Sequence, residues 1–139
     1  MNTKIYKEVH GLAEKLMAAA EKEDRVTFEA LYAELELICT SNEDSDKDHP
    51  VQWEALADFT EELEDAIKVY KKALLKAEEI NSKDYISSIA FSLATLQIEL
   101  EDTESAVDNL NKAKISSNKI EDKELKAEIH DLLTELDGH

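Results

Sequence analysis

Apolar residues recur along this chain at steps of three and four, the spacing that lines one face of an α-helix. The run Leu63, Ala66, Ile67, Tyr70, Ala73, Leu74, Ala77 and Ile80 shows it most plainly. Two further runs, Tyr85, Ile89, Leu93, Leu96, Leu100 and Leu125, Ile129, Leu132, Leu133, Leu136, repeat the same period. The pattern predicts helices over about 3–21, 24–40, 49–60, 62–80, 83–100, 103–119 and 122–136. Asp24 and Asp102 suit helix N-caps, Pro50 fits only a first helical turn, and Asn81 and Ser82 compete with the helical backbone. The 24–40 segment carries two apolar stripes on nearly opposite sides: Val26, Ala30, Ala33, Leu37, and Phe28, Leu31, Leu35, Ile38.

Composition narrows the class. The 139 residues suit one compact domain spanning 1–139. Only two glycines and one proline are present, too few for the turns of a sheet protein, so the expected fold is all-α. The same scarcity excludes glycine-rich phosphate loops and the nucleotide enzymes that need them. The net charge of −17 repels nucleic acid and anionic lipid. It is concentrated between Glu21 and Asp65, where sixteen acids face Lys22, Arg25 and Lys47. No stretch reaches the roughly 20 apolar residues of a membrane span. A single cysteine, Cys39, allows no internal disulfide and points to a reducing, cytoplasmic setting. On its apolar helix it reads as a core residue rather than a nucleophile.

Shifting the chain by forty residues superimposes Ala66 on Ala106, Tyr70 on Leu110, Ala73 on Ala113, Leu75 on Ile115, Ile80 on Ile120, Ile89 on Ile129 and Leu93 on Leu133. The first copy is fainter: Val26 meets Ala66, Ala33 meets Ala73, Leu16 meets Leu56 and Ala13 meets Trp53. This register turns Val26, Ala30, Ala33 and Leu37 toward the core. The opposite stripe, Phe28, Leu31, Leu35 and Ile38, then either packs on the first helix of the next copy or forms a self-association surface.

A forty-residue helix pair resembles the tetratricopeptide repeat family in a longer-helix variant. Ala66, Tyr70 and Ala73 in LEDAIKVYKKAL look like the family's second-helix motif, as do Ala106, Leu110 and Ala113, while Leu93 and Ala94 look like its large-small first-helix pair. The chain departs from the pattern at Glu14, Glu54 and Ala30, and a one-residue slip would put Ala13 at the small position of the first copy. The resemblance implies a superhelical array of antiparallel helix pairs, about 3.5 copies at 3–40, 49–80 and 83–119, closed by a capping helix at 122–136. It also implies a concave groove for a segment of another protein, on Val51, Ala55, Asp58, Phe59, Ser88, Phe91, Thr95 and Ile98. The basic pair that holds a terminal carboxylate in the family's co-chaperones is absent there. An apolar groove rimmed by acids suits a segment with apolar and basic residues.

Other chemistry finds little support. The four histidines have no metal-binding spacing, and Asp44, Asp46 and Asp48 begin a calcium loop whose glycine and glutamate positions hold His49 and Ala55. No cofactor, metal or catalytic residue is expected. Trp53, equivalent to Leu93 and Leu133, reads as core, with an interface anchor as the alternative. The sequence therefore points to a protein-binding adaptor, scaffold or chaperone-like module. A self-associating helical homodimer and an enzyme of unrecognised type are the alternatives.

Overall fold

The computed structural model describes residues 2–119 and 121–137. Seven helices account for 81% of the described residues, and no strand occurs among them. They are α1 (Thr3–Glu21), α2 (Arg25–Asn42), α3 (Pro50–Asp58), α4 (Leu63–Glu79), α5 (Lys83–Glu99), α6 (Thr103–Ser117) and α7 (Lys123–Asp137). None of them is long and apolar enough to cross a membrane. The chain divides into two compact units, Met1–Val69 and Tyr70–His139, with the boundary inside α4.

Three of the turns are built alike, without glycine. Glu23, Asn81 and Glu101 each end a helix in the left-handed region, with φ of 57°, 51° and 61°. The next residue, Asp24, Ser82 or Asp102, donates its N–H back to Ala19, Ala77 or Gln97, closing a Schellman-type end. The same residue's side chain then accepts from the N–H three residues on, at Thr27, Tyr85 or Ser105, and caps the following helix. One two-residue unit thus stops one helix and starts another.

α3 begins differently. Pro50 occupies its first position, and the Nδ1 of His49 accepts from the Val51 N–H at 3.1 Å. Burial pushes the His49 imidazole below its ordinary value of 6.5, outweighing Asp48, which acts in the opposite sense. The unfolded chain therefore binds this proton more readily than the folded one. The stability that the neutral cap contributes is fully present above about pH 6.5 and is lost as pH falls through the depressed folded value. Urea midpoints are expected to fall between about pH 7 and about pH 5, and His49→Asn, which keeps an acceptor but does not titrate, should flatten that part of the curve.

Unit 1 buries Val9, Leu12, Leu16 and Ala19 of α1 with Phe28, Leu35 and Cys39 of α2 and Trp53, Leu56 and Ala57 of α3. The α2 register differs from the forty-residue expectation. Val26, at 81% exposure, and Leu37, at 64%, face solvent together with Ala30 and Ala33, whereas Phe28 and Leu35 are buried and Leu31 and Ile38 half-buried. The stripe Phe28, Leu31, Leu35, Ile38 is therefore the inward one rather than an exposed face, and only Leu31 and Ile38 keep part of their surface in solvent. The buried series Phe28, Leu35 and Cys39, with half-buried Tyr32, lies thirty-eight residues before Ala66, Ala73, Ala77 and Tyr70. In α1, the buried Val9, Leu12 and Leu16 precede the buried Pro50, Trp53 and Ala57 by forty-one, one residue off the forty-residue register.

In the rest of the chain the forty-residue spacing does describe burial. Ala66 and Ala106, Tyr70 and Leu110, Ala73 and Ala113, Ile89 and Ile129, and Leu93 and Leu133 are all buried pairs. Leu75 and Ile115 also correspond, but both face solvent. Ile80 lies just past the end of α4 and is exposed rather than inward; its counterpart Ile120 lies outside the described residues. α5 is the most enclosed helix of unit 2. Its Ser87 hydroxyl donates to the Ala113 carbonyl, and the Gln97 amide oxygen accepts from Asn109.

Candidate functional site: the grooves of unit 1

Two helical faces meet in the groove between α1 and α3. Tyr6, Val9, His10 and Ala13 project from one wall and Val51, Glu54, Ala55 and Asp58 from the other, around a cavity of about 150 Å³. Both sets follow the three- and four-residue helical period, so each wall is one stripe of its helix. Ala13 and Ala55 keep the walls low. The Tyr6 and His10 rings stack at 6.4 Å with planes 8° apart, and His10 Nε2 lies 3.1 Å from a Glu14 carboxylate oxygen. The groove therefore pairs an aromatic shoulder with a side carrying Glu54 and Asp58.

Of the groove residues expected from sequence, Val51, Ala55 and Asp58 lie here. Phe59 does not. It ends α3 and packs edge-on against Phe28, with ring centroids 6.4 Å apart. There it lines a cavity of about 360 Å³ with Arg25, Tyr32, Thr60 and Glu61. Arg25 closes that side, its guanidinium 5.0 Å above the Phe28 ring and paired with both Glu61 oxygens at 2.7 and 2.9 Å. The guanidinium holds the Glu61 carboxyl below the usual carboxylate range, and Glu61 raises Arg25 in return. Because both groups are exposed, water screens most of that attraction. Thr60 gives its hydroxyl proton to the Leu56 carbonyl, so the Tyr32 hydroxyl is the donor in the 2.8 Å contact between them. These contacts tie the start of α2 to the α3–α4 turn.

Ser88, Phe91, Thr95 and Ile98 lie on α5 in unit 2, all half-buried. The Thr95 hydroxyl donates to the Ser92 carbonyl, within its own helix. Tyr6 and His10 were not anticipated as site residues. The signal was present, since Tyr6, His10 and Ala13 share a flank of α1 beside its core stripe.

A third groove, of about 520 Å³, runs along the other side of α1, between Lys7, Gly11, Lys15 and the Glu34–Ile38 turn of α2. Among the described residues no group of three or more histidine, cysteine or acidic side chains is placed to hold a metal ion. Cys39 is wholly buried, its thiol donating to the Gln52 carbonyl at 3.2 Å. No family model matches the chain, and no curated protein and no solved structure matches it either.

Proposed function

We propose that this chain is a tetratricopeptide-like array of helix pairs that acts in the cytoplasm as a protein-recognition module. It holds a segment of a partner protein that carries apolar residues flanked by lysine or arginine. The observation that carries this reading is the α1–α3 groove, where Val51, Ala55 and Asp58 stand opposite Tyr6, Val9, His10 and Ala13. Low alanine walls admit a chain, the aromatic shoulder offers apolar contact, and the carboxylates favour a cationic flank. The recurrence of buried positions every forty residues from α4 to α7 supports the repeat arrangement. On α5, Phe91 and Ile98 are half-buried apolar residues available for the same purpose in unit 2.

Fluorescence anisotropy against synthetic peptides tests the reading. Apolar peptides flanked by lysine or arginine should bind, and acidic ones of equal hydrophobicity should not. Ala55→Arg, which fills the groove with a long cation, should abolish binding. Absence of binding by every basic-apolar peptide, or binding indifferent to Ala55→Arg, rejects the groove as the site.

A further inference from the structure

We infer that the outer face of the α1–α2 pair docks a second copy of this chain. This surface is separate from the α1–α3 groove and does not depend on the reading given for it. Val26, Ala30, Ala33 and Leu37 form one exposed ridge along α2, within about 60° of each other at 100° per residue. Beside the ridge lies the groove of about 520 Å³, with Leu12 and Ile38 among its lining residues. A Cβ built on Gly11 would meet nothing within 4 Å, so another helix can approach the α1 backbone closely. Scattered exposed leucines need no explanation, but an aligned ridge whose Leu37 borders a groove does.

The charges identify the occupant. Residues 2–20 carry three lysines against two glutamates, whereas 21–65 carry sixteen acids against three bases. The α1 wall of the groove, with Lys7 and Lys15 against Glu8, is thus a local exception in an acidic unit, and Glu34 stands on the facing wall. Lys7 and Lys15 stand on that wall, eight residues apart, about 12 Å along the helix. Glu29, which lies 3.7 Å from Arg25 on its own helix, and Glu36 occupy the flank of α2 turned away from α1, seven residues apart, about 10.5 Å. When the ridge of one copy lies in the groove of another, these acids reach the two lysines at matching spacing. A two-fold axis makes the exchange reciprocal, so both ridges and both charged rows are satisfied and the assembly closes as a dimer.

Sedimentation equilibrium of the full chain, from about 1 to about 200 μM, reads the outcome directly. A mass rising to twice 15.7 kDa is expected. Leu37→Glu and, separately, Ala33→Glu should each weaken association at least tenfold while the helical circular dichroism and thermal unfolding cooperativity stay intact, because both residues are exposed. The doubly substituted Lys7→Glu/Lys15→Glu chain should fail to self-associate, yet pair with a Glu29→Lys/Glu36→Lys chain. A monomer across the whole range overturns the inference, as does a dimer indifferent to Leu37→Glu and Ala33→Glu. Failure of the charge-swapped chains to pair overturns it as well, and would leave the ridge to a partner of different chemistry.

Discussion

Leu35→Ala is expected to lower the unfolding free energy by about 2–5 kcal/mol, while Leu37→Ala, two positions away on the same helix, should change the monomer by less than about 0.5 kcal/mol. Leu35 has no exposed surface and Leu37 is 64% exposed. Removing the buried side chain forfeits its transfer energy and leaves a cavity that its neighbours close only partly. Removing the exposed one leaves water where water already was. Urea titrations followed by circular dichroism, at a protein concentration low enough to exclude self-association, measure the two. The opposite ranking would mean that α2 is rotated by half a turn, with Val26, Ala30, Ala33 and Leu37 in the core.

Trp53→Ala should cost about 3–5 kcal/mol. The indole is 4% exposed, and its Nε1–H donates to Asp48 Oδ1 at 2.8 Å. The other oxygen of Asp48 accepts from the Asp44 N–H at 2.7 Å, where Asp44 adopts a φ of 62°. The side chain therefore fills the core and also anchors the α2–α3 connection through one carboxylate. Trp53→Phe separates the two roles. It keeps most of the apolar volume but leaves Asp48 without this donor, and about 1–2 kcal/mol is the expected loss. A phenylalanine variant as unstable as the alanine one would locate the energy in the loop rather than in the core.

How far the residues disclosed their own placement depends on the helix. In α4, α6 and α7 one apolar stripe dominates, and Tyr70, Ala73, Leu110 and Leu133 fall where the period puts them, whereas α5 is apolar on more than one side and buries Ile86, Ala90 and Ala94 besides Ile89 and Leu93, leaving Leu100 exposed. α2 carries two stripes of comparable apolarity, and periodicity cannot rank them. The forty-residue shift selected the wrong stripe because the spacing to the next helices is thirty-eight there and forty-one in α1, the difference arising where α3 stops at Asp58, about one turn sooner after its buried stripe than α1 does after its own. Phe28 was the local clue: burying its ring outweighs burying Val26. Val51, Ala55, Asp58 and Phe59 are expected in a groove only through the family resemblance; the first three line the α3 wall of the α1–α3 groove, and Phe59 leaves it because α3 ends at Asp58 and the chain turns before the stripe continues.

The α2–α3 part of unit 1 also holds the only tryptophan and the only thiol of the chain, Trp53 and Cys39, and both are buried. Indole emission and thiol-labelling kinetics consequently witness the opening of that half alone, whereas the amide dichroism averages over all seven helices. Coincident denaturation curves from the three signals would demonstrate that the break within α4 carries no thermodynamic independence. Curves that separate would let labelling at Cys39 clock the release of the first half while the second remains folded, turning an unreactive core thiol into a stopwatch for partial unfolding.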